Sequence, residues 1–219
     1  MSKLEEIKRV KNGVLYKDAK GVKFVRVDNV RLSFPFVGTP GEDEDDDGNT
    51  KKAWRATGML PKTTHVEVKD MIKAVFAELM TTNDVKVPSA NWALSDGDGD
   101  KHEEHPEMHG HWLLSAKEGQ RKPPCRDQKG ELIEDITKID DKFYGGCWAN
   151  ILVRPWYFDG RTKNSKKTYP KRLLCGLSGV QFVRDDTPFG QGRVDESDAW
   201  DEVAGDGGDG MGGGDDDGL

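Results

Sequence analysis

The chain has 219 residues and a formal net charge of −7, with 34% hydrophobic and 33% charged residues. That length holds one medium domain with tails, and no apolar run of about 18 residues is present to cross a membrane. The three cysteines, Cys125, Cys147 and Cys175, are odd in number and widely spaced. They predict reduced, buried thiols rather than a disulfide framework.

Residues Met1 to Lys11 alternate charge with Leu4, Ile7 and Val10 and lack the apolar centre of a signal peptide. A cytoplasmic location is the expectation, and residues 1–20 read as an N-terminal extension. Val22 to Phe34 reads as a strand from the near period-two recurrence of Val25, Val27, Val30, Leu32 and Phe34. A break is expected at Asp28–Asn29 and an end at Pro35. The acidic run Glu42 to Asp47 reads as a solvated loop. Lys51 to Leu60 alternates again and predicts a second strand.

Val66 to Met80 predicts a helix whose apolar face is Val68, Met71, Ile72, Val75, Phe76 and Leu79. Thr64 and Glu67, three residues apart, predict a capping box at its start. A polar loop follows, centred on Asp96 to Asp100. Further strands are expected at His111 to Ala116, Phe143 to Asp159 and Lys171 to Val183. Pro155 implies a bulge or an edge position in the longest of these. Five strand segments, one main helix and long loops predict a mainly β fold, a Greek-key barrel of the OB type. The barrel domain spans residues 21–184.

The tail, residues 185–219, carries twelve acids and one base, which leaves residues 1–184 with a net charge of +4. Such a segment buries too little apolar surface to offset its ordering entropy, so disorder is expected. A basic body joined to an acidic tail points to a polyanionic ligand for the body.

Between Lys142 and Arg184 there are nine bases and one acid, interleaved with Trp148, Trp156, Tyr157, Phe158 and Tyr169. Single-stranded nucleic acid needs this pairing, because cations track phosphates while aromatic faces stack unpaired bases. Trp148, Arg154 and Trp156 share strand parity and therefore one face. The Lys-rich loop from Gly160 to Pro170 is placed to clamp a strand. The alternative is that the aromatics fill the core and the lysines are a solvated loop.

His102, His105, His109 and His111, with Glu103, Glu104 and Glu107, offer metal-ligand chemistry, but their spacing matches no closed zinc site. Asp96, Asp98 and Asp100 resemble a calcium loop only superficially, since Lys101 stands where that loop needs glycine. No nucleophile elbow, phosphate-binding glycine loop or paired-carboxylate motif is present. No cofactor, metal or catalytic activity is expected.

Six segments then carry a resemblance. They are VRLSFPFV (Val30 to Val37), DGDGDK (Asp96 to Lys101), HPEMHGHWLLSAK (His105 to Lys117), RKPPCRD (Arg121 to Asp127), FYGGCWANILVRPWYFD (Phe143 to Asp159) and LCGLSGVQFVRDD (Leu174 to Asp186). In this order they resemble the OB-fold single-stranded DNA-binding proteins of tailed phages, of the Enterobacter-phage type, from about Val22 to Asp186. The resemblance implies a replication or recombination protein that binds unpaired DNA without sequence preference. The acidic insert at Glu42 to Asp47 and the Gly218–Leu219 ending depart from the pattern.

The DNA-contacting candidates are Lys51, Lys52, Trp54, Arg55, Trp92, Lys117, Arg121, Trp148, Arg154, Trp156, Tyr157, Lys166, Lys167, Tyr169 and Arg172. The tail is expected to compete with DNA and to recruit phage or host replication proteins, with Trp200, Asp215, Asp216, Asp217 and Leu219 as contacts. Two other classes fit parts of the pattern: an acidic-tailed chaperone without nucleic-acid binding, and a zinc hydrolase using the His102 to His111 loop.

Overall fold

The computed structural model describes residues 3–44, 50–99, 104–162 and 168–189. Among the described residues, ten strands and two α-helices make a mainly β molecule: β1 (Glu5–Val10), β2 (Gly13–Lys17), β3 (Lys23–Glu44), β4 (Thr50–Pro61), α1 (Val66–Thr82), β5 (Leu94–Asp96), β6 (His111–Glu118), β7 (Cys125–Arg126), β8 (Leu132–Ile133), α2 (Ile136–Lys142), β9 (Trp148–Phe158) and β10 (Arg172–Arg184). The expected count of about five strands is therefore too low. The five long strands nonetheless form the barrel.

In the sheet, β6 pairs with β4, β4 with β3, β3 with β9 and β9 with β10, all antiparallel. The ring closes through a short stretch before β5. Trp92 bridges Leu173 of β10. The Ala93 N–H donates to the Leu173 carbonyl at 2.7 Å, while the Ala93 carbonyl accepts from Ser115 N–H of β6 at 2.9 Å. Taking β3, β4, β6, β9 and β10 as barrel strands 1 to 5, the circuit is 1-2-3-5-4-1, the connectivity of an OB barrel. The additional strands are appendages. The hairpin β1–β2 joins the edge of β3, and the short pair β7–β8 runs alongside β10.

Alternation accounts for the long strands. In β9, Ala149, Ile151 and Val153 are fully buried, while Trp148, Asn150, Leu152, Arg154 and Trp156 lie on the other face. Gly58, at the middle of β4, lets the barrel wall pack closely. A Cβ there would fall 2.6 Å from Ile151 Cδ1 and 3.2 Å from Val30 Cγ2. Leu32, Met59, Leu60, Leu113, Leu114 and Ile151 are essentially inaccessible, each burial stabilising by about 1.5–3 kcal/mol.

Helix α1 buries Val68, Met71, Ile72, Val75 and Phe76 as its spacing requires. The expected capping box does not form. The N-cap is His65, with no side-chain cap bond. The Thr64 hydroxyl pairs instead with His65 Nδ1 at 2.8 Å, and the Glu67 carboxylate reaches the Lys11 N–H of the β1–β2 turn at 3.4 Å. Helix α2 starts at a regular cap, Asp135 accepting from Thr137 N–H and Lys138 N–H at 3.0 and 3.4 Å, and buries Ile139.

Pro35 does not end β3. The ladder to β4 shifts register between Ser33 and Phe36 and again between Phe36 and Gly41. Pro35 therefore sits in a bulge, where the ladder does not require an N–H. The expected break near Asp28 is present: β3 shifts register between Val27 and Val30, and Asn29 takes φ 53°. Pro155 lies beyond Val153, the last residue of β9 paired with β3, so that side of the strand is an edge. All three cysteines are free and buried.

Residues 185–189 do not start a free tail. The compact unit runs to Phe189. Tyr144 OH donates to the Asp186 carbonyl at 2.8 Å and accepts from the Asp186 N–H at 3.0 Å. Arg31 donates to the Thr187 carbonyl at 2.7 Å, and its guanidinium lies 4.3 Å from the Phe189 ring centroid. Phe189 packs against the buried trio Met59, Met108 and Leu113. Gly146, at φ 110°, permits this approach, because a Cβ would come within 2.5 Å of the Thr187 carbonyl oxygen. Among the described residues, no helix is long and apolar enough to cross a membrane.

Candidate nucleic-acid interface

A groove of about 970 Å³ runs across the barrel. Four parts of the chain build it. The bulge of β3 contributes Phe34 and Phe36, and β4 with β6 contributes Arg55, Thr57, Ser115 and Lys117. The closing stretch contributes Ala90 to Ala93, and β9 with β10 contributes Trp156, Arg172 and Leu174. Among the described residues, no Asp or Glu lines it.

The floor follows from strand register. Arg55 pairs directly with Lys117, and Thr57 with Ser115. Directly opposed residues share a face of the sheet, so the two positive charges sit side by side on the groove floor. The Arg55 guanidinium also lies 4.7 Å from the Phe36 ring centroid. Gly41 gives room for this stack, since a Cβ there would come within 3.0 Å of the ring and 3.1 Å of the guanidinium. On the far wall, Trp156 opposes Leu174, two residues from Arg172 along β10. Its indole is 37% exposed and meets the Phe158 ring edge-to-face at 6.1 Å. Trp92 is half-buried, donating to the Val87 carbonyl at 3.0 Å and packing edge-on to Phe76.

Five of the sequence candidates thus meet in one groove: Arg55, Trp92, Lys117, Trp156 and Arg172. The others lie elsewhere. Lys51 and Lys52 are exposed at the start of β4, with Lys52 2.9 Å from Glu42. Trp54 is half-buried and donates to the Gly38 carbonyl at 2.9 Å. Arg121 is exposed in the β6–β7 loop, and Arg154 is exposed on β9 opposite Gly176. Tyr157 leans on the core. Tyr169 closes the hairpin loop through its N–H to the Gly160 carbonyl at 2.8 Å. Lys166, Lys167, Trp200, Asp215, Asp216, Asp217 and Leu219 lie outside the described residues.

Trp148 is engaged away from the groove. Its indole N–H donates to Asp186 at 2.6 Å, and the Arg184 guanidinium covers its ring at 4.1 Å. That indole bond, followed by the Thr187 N–H, holds the Asp186 carboxyl below its usual range.

The histidine loop does not converge. His105 pairs with Glu107 at 3.5 Å, His109 with Asp98 at 3.1 Å, and His111 Nδ1 with the His109 carbonyl at 2.7 Å. Among the described residues, no three His, Cys, Asp or Glu side chains form a metal-binding group. His102 and Glu103 are outside them.

Phe34 and Phe36 were not among the candidates. They share parity with Leu32, which is fully buried, so an unbroken strand would send both rings into the core. The bulge turns them outward, leaving them 51% and 36% exposed. The available signal was the Phe-Pro-Phe order itself, since a proline inside a strand marks a bulge.

The family described as "Enterobacter phage Enc34, ssDNA-binding protein" matches residues 23–209. The chain belongs to this family. The single-stranded DNA-binding protein from bacteriophage Enc34 is 34% identical, with a TM-score of 0.71 over 91% of this chain and 99% of that one. The same phage protein in complex with ssDNA is 32% identical, with a TM-score of 0.73 over 86% of this chain and 99% of that one. Its C-terminal truncation matches at 33% identity and a TM-score of 0.71, covering 85% and 98%. Among curated proteins, none matches the chain.

Proposed function

We propose that this chain binds single-stranded DNA in the groove, without base-sequence preference. The observation that carries the reading is the groove's lining: a cross-strand pair of cations, Arg55 and Lys117, between aromatic walls, with Arg172 beyond. Phosphates neutralise the cations and release counterions, while Trp156 offers a face to an unpaired base. A duplex keeps its bases stacked internally and gains nothing from the aromatic walls. The family relationship supports the same ligand, because the Enc34 protein is known in complex with ssDNA.

The biological setting that fits is protection of unpaired DNA during phage replication or recombination in the bacterial cytoplasm, with no catalytic step. The acidic residues beyond Phe189 act as an internal polyanion, competing with DNA for the cations and engaging replication proteins when displaced. Tryptophan fluorescence titrated with poly-dT at two salt concentrations tests the reading. Quenching that weakens with salt, and affinity for poly-dT well above that for duplex, is the expected result. Equal affinity for duplex, or no quenching, overturns it.

A further inference from the structure

We infer that Lys62 positions one wall of the groove from outside it, its ammonium serving as the built-in cation of the Asp96–Asp98 loop. The inference rests on the groove being the DNA site and adds a residue that touches no DNA. Neither Lys62 nor Asp96 nor Asp98 lines the groove. Asp96 and Asp98 are the carboxylates whose spacing superficially resembles a calcium loop. The Lys62 ammonium lies between them, donating to Asp96 and, at 2.7 Å, to Asp98. An ammonium with three donors, tethered to the end of β4, thus does the ordering that such a loop otherwise leaves to an ion.

A chain of contacts runs from the ammonium to the groove wall. The other oxygen of Asp98 accepts from the Gly110 N–H at 2.6 Å and meets His109 Nδ1 at 3.1 Å. The Lys62 N–H donates to the Gly110 carbonyl at 2.9 Å, so backbone and side chain of one residue grip the same segment. Gly97 allows the close fit, since a Cβ there would fall 2.4 Å from the Met108 carbonyl oxygen. The bonds from Lys62 and Gly110 hold the Asp98 carboxyl down at about 2, so it stays ionised at neutral pH. On the far side of the segment, Met108 is buried against Met59 and Leu113, and its N–H donates to the His105 carbonyl at 2.9 Å. His105 in turn meets the Phe34 ring edge-to-face, with centroids 5.0 Å apart. Phe34 lines the groove at φ 48°. That backbone is costly for a bulky residue and persists only where the surroundings hold it.

Lys62→Met and Lys62→Arg test the inference. In the free protein, Lys62→Met should speed amide exchange at Met108 and Gly110 by about 10-fold or more while the amides of β9 exchange as in wild type. It should weaken dT-oligomer binding by about 3-fold or more. The salt slope of binding should match wild type, because Lys62 meets no phosphate. Lys62→Arg should restore both exchange and affinity, since a guanidinium can bond both carboxylates. Millimolar calcium should leave exchange in the wild-type protein unchanged, the cation's place being taken. Wild-type exchange at Met108 and Gly110 in Lys62→Met overturns the inference, as does equal acceleration across β9. Faster loop exchange with wild-type affinity for dT removes the link to the groove and overturns it. A flattened salt slope makes Lys62 a phosphate contact and overturns it too. So does an arginine variant that behaves like the methionine one, or calcium that slows exchange in wild type. Failure of the wild-type protein to bind dT, with the exchange results as expected, overturns the reading of the groove instead.

Discussion

The indole N–H of Trp148 donates to the Asp186 carboxylate at 2.6 Å, joining the first strand of the aromatic hairpin to the start of the acidic segment. Asp185 to Phe189 form a strap across Gly145 and Gly146, and Phe189 covers Met59, Met108 and Leu113. The compact unit that contains the barrel runs to Phe189 and not only to Arg184.

Two truncations should therefore behave differently. Ending the chain after Phe189 should leave the melting temperature unchanged. Ending it after Arg184 exposes the Met59 trio and should lower the melting temperature by roughly 2–8 °C, from the lost burial of a half-covered ring. Thermal scans of both forms check this. Only the longer form gives a clean test of tail competition, with tighter binding at low salt expected.

Within the groove, Arg55→Ala, Lys117→Ala and Arg172→Ala should each flatten the salt dependence of poly-dT binding by about 0.7 in log–log slope. Trp156→Ala should cost about 1–3 kcal/mol of affinity. Arg126→Ala, on β7 and outside the groove, should change neither. Titrations at four salt concentrations separate these outcomes.

Gly58 and Ile151 should be energetically coupled. Gly58→Ala places a methyl 2.6 Å from Ile151 Cδ1 and should destabilise by about 1–3 kcal/mol through overpacking. Ile151→Val alone should cost about 0.5–1.5 kcal/mol. The double variant should cost less than the sum, because valine lacks the colliding atom. Urea unfolding of the four proteins measures the coupling.

His65 predicts an acid-side loss of stability. Burial, partly offset by its bond to the Asp28 carbonyl at 2.8 Å, lowers its pKa below 6.5. The unfolded chain thus takes up the proton first as pH falls, and folding is disfavoured progressively below about pH 6.5. The contribution is intact above that value. Melting temperatures from pH 7.5 to 5.5 should fall less steeply for His65→Asn than for wild type.

The thiols should be inert in the folded protein. Burial pushes Cys125 up to about 11 and Cys147 up to about 12, and raises Cys175 as well. Reaction with a thiol-specific disulfide reagent at pH 8 should be negligible until denaturant is added.

What was legible in the residues follows from how strongly each element is patterned. β4, α1, β9 and β10 carry long, regular periodicities, and each was located to within a few residues, β9 apart, whose start lies five residues later. The hairpin β1–β2 was not, because Glu5 to Val10 is charged on both faces and is held by pairing rather than burial. The strap was hidden for a related reason: Asp185 and Asp186 read as solvated acids, and their partners, Arg31, Tyr144 and Trp148, lie about 40 residues or more upstream. At the site, Trp156 and Arg172 followed from composition and parity. Phe34 did not, because one backbone angle overrides the alternation from which parity is read.

Ala93 has a second consequence. It fastens the barrel with one bond to Leu173 and one from Ser115, and it also forms part of the groove's floor. The hoop is thus clasped at its thinnest point, in the wall of the groove. Everywhere else around the ring a full ladder must come apart together. On the proposed reading, a strand of DNA reaching from Lys117 to Arg172 would cross this clasp and hold it shut. The Ala93 amide should therefore report occupancy, its proton exchanging more slowly when DNA is bound than in the free protein.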